Sequence, residues 1–156
     1  MSKLSPGDRA PDFKLLDQEG KPFRLAESLK AGKSAHLVYF YPKADTPGCT
    51  AQACGLRDVS GDIGDAVVVG ISPDAPDRQK IFDHKYGLGF PLLSDQDHAV
   101  AEAYGVWGER SLYGRKFMGI VRSAFLIDGK GKVAEAWYKI SPKDTPARLV
   151  KWVREH

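Results

Sequence analysis

Two runs of apolar residues dominate the hydrophobic pattern, Ala35–Tyr41 (AHLVYFY) and Ala66–Ile71 (AVVVGI). They are rich in β-branched and aromatic side chains and lack the polar alternation of a half-exposed strand. Runs of this kind are strands covered on both faces. Shorter strand-like segments, Ala124–Ile127 and Val133–Trp137, flank Asp128-Gly129-Lys130-Gly131-Lys132, a glycine-bearing hairpin turn. Near the start, Phe13–Leu16 and Pro22–Leu25 flank Asp17-Gln18-Glu19-Gly20-Lys21 and predict another short hairpin. Helices are expected over about Cys49–Gly61, about Asp77–Tyr86 after Ser72-Pro73-Asp74-Ala75-Pro76, and about Asp97–Tyr104 after a Ser94-Asp95 cap. A last helix is expected to start with Thr145 as N-cap and Pro146 at its first position, with Leu149, Val150 and Val153 as its apolar stripe. This order predicts an α/β fold. Its central mixed β-sheet is flanked by helices and carries an N-terminal β-hairpin extension. Crossovers make the parallel part, and the last hairpin makes the antiparallel part.

The length, 156 residues, suits one domain spanning 1–156. No repeat, low-complexity tract or linker interrupts it. No segment approaches the ~18 consecutive apolar residues of a membrane helix, and the first residues lack a signal-peptide core. A soluble, cytoplasmic protein with no membrane partner is expected. The net charge, 23 − 20 = +3, is too small to call for a nucleic-acid partner. One segment, Val106–Val121 (VWGERSLYGRKFMGIV), is aromatic, basic and punctuated by glycine. It could stack and pair with nucleic acid, but a long loop that shapes access to a site fits the low overall charge better.

The chain has two cysteines, Cys49 and Cys54, only five positions apart. Cys49 follows a buried strand and the turn Pro42-Lys43-Ala44-Asp45-Thr46-Pro47-Gly48, so it falls at a helix start. Free N–H groups and the positive end of the helix dipole favour an anion there, and the thiolate is the reactive form of cysteine. On a helical wheel Cys49 shares a face with Ala53, Leu56, Val59 and Ile63. Cys54 shares one with Thr50, Arg57, Asp58 and Gly61. Three readings compete. Both residues could be inert core cysteines, although the polar side of Cys54 argues against that. They could bind a metal, but zinc needs four ligands and the histidines His36, His84, His98 and His156 are scattered, so no metal or cofactor is expected. They could carry redox chemistry. In an intact helix residues i and i+5 lie ~8.7 Å apart between Cα atoms, beyond the ~7 Å reach of a disulfide. If the two bond, the first turns of the helix must open. Gly48 before the helix and Gly55 inside it, a residue that costs ~1 kcal/mol against alanine, would ease that opening.

Pro42-x-x-x-Thr46-x-x-Cys49 resembles the active-site signature of peroxiredoxins. The longer run Tyr39-Phe40-Tyr41-Pro42-Lys43 … Asp45-Thr46-Pro47-Gly48-Cys49-Thr50 … Ala53-Cys54 resembles the Q-type, or bacterioferritin comigratory protein, subgroup. The likeness continues through Gly70-Ile71-Ser72, Phe90-Pro91-Leu92-Leu93-Ser94-Asp95, Tyr104-Gly105-Val106 and Arg122-Ser123-Ala124-Phe125-Leu126-Ile127-Asp128. The resemblance implies a thioredoxin-like fold and a thiol peroxidase acting on hydrogen peroxide or organic hydroperoxides. Position by position it implies Cys49 as the peroxidatic cysteine and Cys54 as the resolving one. It implies that the Thr46 hydroxyl and Arg122 contact thiolate and peroxide, and that Pro42 shields the pocket. It further implies a monomer whose Cys49–Cys54 disulfide is re-reduced by thioredoxin or another dithiol. Gln52 stands where the subgroup commonly has Glu, and Ala44 and Ala124 replace commoner polar residues.

Peroxide reduction moves charge from sulfur to a leaving oxygen, so preorganised donors must serve both atoms. The N–H groups of Gly48 and Cys49, the Thr46 hydroxyl and the two-pronged Arg122 guanidinium suit that task. Trp107 and Phe117 are candidates for an apolar rim that receives an organic leaving group. Two other functions compete with peroxidase: a disulfide reductase or isomerase that needs no peroxide, and a non-catalytic binding module.

Overall fold

The computed structural model describes residues 3–156. It opens with a hairpin of β1 (Lys14–Leu16) and β2 (Pro22–Arg24), followed by a short helix α1 (Leu25–Leu29). The first apolar run forms β3 (Ala35–Phe40), in which all six residues are buried. Helix α2 (Pro47–Asp58) follows, then β4 (Val67–Ser72), α3 (Pro76–Tyr86), β5 (Leu92–Ser94) and α4 (Ala99–Ala103). Strands β6 (Trp107–Leu112) and β7 (Arg115–Ile120) come next, then β8 (Ser123–Asp128), β9 (Val133–Trp137) and the closing helix α5 (Asp144–Glu155).

The main sheet has seven strands in the order β2-β1-β5-β4-β3-β8-β9. Strands β3, β4 and β5 run parallel, joined by helical crossovers, whereas β8 and β9 are antiparallel. The expected mixed sheet and N-terminal hairpin are therefore present. Because side chains alternate along a strand, β3 divides the core into two. Leu37, Tyr39 and Tyr41 face the cluster that holds Cys49, Ala53 and Leu56 of α2, Phe82 of α3 and Leu149 of α5. Val38 and Phe40 face the opposite cluster, with Val106, Ala101, Tyr104, Ile120 and Phe125. Burying each such side chain is worth roughly 1.5–3 kcal/mol, so the central strand is the sheet's anchor.

Three expectations are corrected. Val106–Val121 is not a loop: Trp107 to Leu112 pair with Ile120 to Arg115 in a separate two-stranded sheet. Its turn residues Tyr113 and Gly114 both have positive φ, 51° and 77°, the geometry of a primed two-residue turn. The usual Asn-Gly signal is absent, and the Gly108–Gly119 pair breaks the apolar alternation. The last helix starts at Asp144, with Lys143 at the N-cap position making no capping hydrogen bond, so Thr145 lies inside the first turn. The segment ending at Leu25 gives up that residue to α1. The three-residue strand β5 was too short to show a period.

Candidate active site

Strand β3 ends at Phe40, and the loop from Tyr41 to Thr46 carries the chain to α2. Two anchors hold this loop. The Asp74 carboxylate accepts the Ala44 N–H at 2.7 Å and the Ser72 hydroxyl at 2.7 Å. The Asp45 carboxylate accepts Lys85 Nζ at 2.9 Å and the Tyr86 hydroxyl at 2.9 Å, and these donors hold it below the usual carboxylate range. Asp45 itself sits at φ 59°, a left-handed conformation that aspartate tolerates better than most residues. Thr46 then takes extended geometry at the N-cap, with Pro47 at the first helical position. The Thr46 hydroxyl donates to the Lys43 carbonyl at 2.7 Å instead of capping the helix. In this arrangement its oxygen is left as an acceptor, where the sequence had suggested a donor.

Cys49 is buried and Cys54 half-buried, both as free thiols on an unbroken α2. Cys49 points into the first core cluster, and Cys54 packs partly against the same cluster, so it is less exposed than its helical side suggested. Arg122 lies just before β8, at the same end of the sheet, because β8 is antiparallel to β3 and Ser123 pairs with Phe40. Its Nη2 approaches Cys49 Sγ at 3.5 Å, and its Nη1 donates to Gln52 Oε1 at 2.8 Å. The Gln52 amide in turn donates to Thr145 Oγ1 at 2.9 Å, and Thr145 donates to the Ser141 carbonyl at 2.9 Å. This buried chain of hydrogen bonds links the arginine, α2 and the start of α5. A neutral amide that accepts from one neighbour and donates to the next makes the chain continuous.

Two glycines permit close approaches. A Cβ on Gly48 would lie 3.0 Å from Arg122 Nη2, so the bare backbone leaves the guanidinium its place beside Cys49. A Cβ on Gly55 would lie 2.9 Å from Pro146 Cγ, so Gly55 lets α5 pack onto α2. Gly55, a weak point of the helix by propensity, is thus also a packing position. Tyr39 is fully buried on the Cys49 side of β3, and its hydroxyl has no partner among the described residues. Burial, with further contributions from Tyr41 and Cys49, pushes that hydroxyl's proton affinity well up, so it stays neutral.

The structure therefore brings Thr46, Gly48, Cys49 and Arg122 to one end of the sheet. Pro42 is half-buried in the anchored loop. Trp107 packs on the core cluster across the sheet from Cys49, and its ring stacks on His98 with centroids 3.8 Å apart. The sequence reading missed Gln52 and Thr145 as site residues. A polar residue three positions after Cys49, between the apolar positions Cys49, Ala53 and Leu56, was the available sign of a buried polar partner.

A family profile described as "AhpC/TSA family" matches residues 6–136. A curated relative named "Putative peroxiredoxin bcp" from Haemophilus influenzae is 47% identical over 156 residues, covering 99% of each chain. The crystal structure of a Mycobacterium tuberculosis peroxidoxin, BcpB, superposes with a TM-score of 0.85 at 35% identity, covering 97% of both chains. A Xanthomonas campestris bacterioferritin comigratory protein, whose structures were described in relation to alkyl peroxide reduction, superposes with a TM-score of 0.82 at 30% identity. It covers 92% of this chain and 91% of that one.

Proposed function

The chain belongs to the AhpC/TSA family and is a thiol-dependent peroxidase of the peroxiredoxin class, and from that premise we propose that Cys49 is its peroxidatic residue and Cys54 its resolving one. The observation that carries the reading is the 3.5 Å approach of Arg122 Nη2 to Cys49 Sγ at the start of α2. That contact sets a guanidinium beside the sulfur, and the helix start adds the free N–H groups of Gly48 and Cys49.

The Cys49 thiolate attacks one oxygen of the hydroperoxide in line with the O–O bond. An S–O bond forms as the O–O bond breaks, and the departing oxygen takes a proton to leave as water or an alcohol. Arg122 and the N–H groups of Gly48 and Cys49 stabilise the charge that moves onto that oxygen. Thr46 accepts the peroxide's O–H and so orients it. Pro42 covers the thiolate from solvent. Cys49 is then a sulfenic acid. The Cys54 thiolate attacks its sulfur, hydroxide leaves and is protonated to water, and a Cys49–Cys54 disulfide forms. Hydrogen peroxide and alkyl hydroperoxides are the proposed substrates. A dithiol restores both thiols by exchange. Thioredoxin is the proposed donor, on a monomeric, single-domain, cytoplasmic protein. Two core clusters on one continuous sheet support the single domain.

A steady-state assay tests this reading. Hydrogen peroxide should disappear in proportion to the thioredoxin oxidised, and insulin disulfides should not be reduced faster than in the enzyme-free control. Insulin reduction without peroxide consumption would instead assign a disulfide reductase.

A further inference from the structure

The peroxidase chemistry leaves the hairpin β6–β7 without a task. Six large apolar side chains are exposed among the described residues, and four belong to this hairpin: Leu112 at 58%, Tyr113 at 97%, Phe117 at 43% and Met118 at 54%. Arg110, Arg115 and Lys116 stand among them against the single carboxylate of Glu109. The register places Leu112 opposite Arg115 and Arg110 opposite Phe117, so these two apolar and two cationic side chains share one face, while Met118 and Lys116 lie on the other face with Glu109. Isolated exposed apolar residues are ordinary, but Leu112 and Phe117 beside Arg110 and Arg115, with Tyr113 at the tip, mark a contact surface.

Its place in the fold narrows the partner. Val121 connects β7 to Arg122, and its N–H donates to the Val106 carbonyl at 2.8 Å. The base of the hairpin is thus fastened one residue from the arginine that touches Cys49. β6 and β7 also form a sheet of their own, so each has an outer edge of N–H and C=O groups without a strand partner. A lipid surface would leave such edges unsatisfied, whereas a protein can pair with them.

We propose that the β6–β7 hairpin is the docking arm for the protein dithiol that re-reduces this chain, a partner whose contact surface combines an apolar patch with carboxylates. The inference rests on the peroxidase reading with its Cys49–Cys54 disulfide. A protein reductant has to hold its thiol against that disulfide while exchange proceeds, and the hairpin offers grip at the same end of the sheet. The cations steer an acidic partner, and the apolar side chains slow its departure. A small dithiol needs neither.

Two double variants test this, Leu112→Ser with Tyr113→Ser and Arg110→Glu with Arg115→Glu. Peroxide turnover is followed with thioredoxin as the protein dithiol and with dithiothreitol as the small one. The KM for thioredoxin should rise about tenfold or more in both variants. Turnover with dithiothreitol and the first oxidation by peroxide should stay within about twofold of wild type. The wild-type KM for thioredoxin should also climb with ionic strength. The proposal is overturned if thioredoxin KM is unchanged in both variants, or if dithiothreitol turnover falls equally. It is also overturned if, with thioredoxin KM unchanged, the substitutions dissociate a dimer in sedimentation or abolish wild-type binding to anionic phosphatidylglycerol vesicles. A wild-type protein that consumes no peroxide with dithiothreitol would instead fail the peroxidase reading, and the docking arm falls with it.

Discussion

Cys49 and Arg122 are 73 positions apart in sequence, yet their side chains meet at 3.5 Å. The join depends on Gln52, whose amide is wholly buried between Arg122 and Thr145. Replacing Gln52 with Leu removes the acceptor of Arg122 Nη1 and leaves the guanidinium free to swing from the sulfur. Losing one charge-assisted hydrogen bond of this kind costs about 1.5–3 kcal/mol. The rate of Cys49 oxidation by peroxide should fall at least about tenfold, while Gln52→Glu, which keeps the acceptor, should stay near wild type. An undiminished rate in Gln52→Leu would show that Arg122 holds its place without help. At the level of single residues the cysteines stand out by their spacing and their place at a helix start, whereas Thr46 and Arg122 stand out only through the family resemblance. The sequence was least informative where a residue acts through another. Gln52 was noticed only as a departure from a resemblance, and Thr145 only as a helix cap, because their work depends on a contact between segments about ninety positions apart.

Helix α2 has two opposed requirements. It must be ordered to hold Cys49 beside Arg122, and its first turns must open if Cys54 is to reach Cys49. The structure ties it to α5 through the Gln52–Thr145 bond and the Gly55–Pro146 approach. Gly55→Ala separates two effects. Helix propensity alone favours alanine by ~1 kcal/mol. The new Cβ would stand 2.9 Å from a proline ring that has little freedom to move. Overpacking of this kind costs about 1–3 kcal/mol, so thermal unfolding should show a lower Tm for Gly55→Ala. A raised Tm would mean that propensity outweighs the contact. The long, uniformly apolar strands and the helices between them were legible from periodicity. The β6–β7 hairpin was not, because paired glycines and a Tyr-Gly turn hide its pattern.

Across the whole molecule, stability and catalysis draw on the same central strand. His36 lies in β3, fully buried, with Nε2 2.6 Å from Ser28 Oγ and Nδ1 without a partner among the described residues. Burial holds its proton affinity below the ordinary value of 6.5. As pH falls below about 6.5 the unfolded chain binds a proton here that the folded chain does not. The folded state therefore loses stability as pH falls through that window, by up to ~1.4 kcal/mol per pH unit for one proton. Urea midpoints at pH 7.5 and 5.0 should differ less for His36→Gln than for the wild type, and equal differences would contradict this role. The main sheet also explains how residues remote in sequence share one site: antiparallel β8 returns Arg122 to the end of β3 from which the Cys49 loop departs. In the proposed mechanism Cys49 is the nucleophile that takes the oxygen atom, and Cys54 acts only afterwards. Stopped-flow mixing of each cysteine variant with hydrogen peroxide, followed by mass analysis of the protein, tests it most directly. Cys54→Ser should consume one equivalent of peroxide and carry one oxygen on Cys49, and Cys49→Ser should consume none at a comparable rate. Wild-type peroxide consumption by Cys49→Ser would contradict the account.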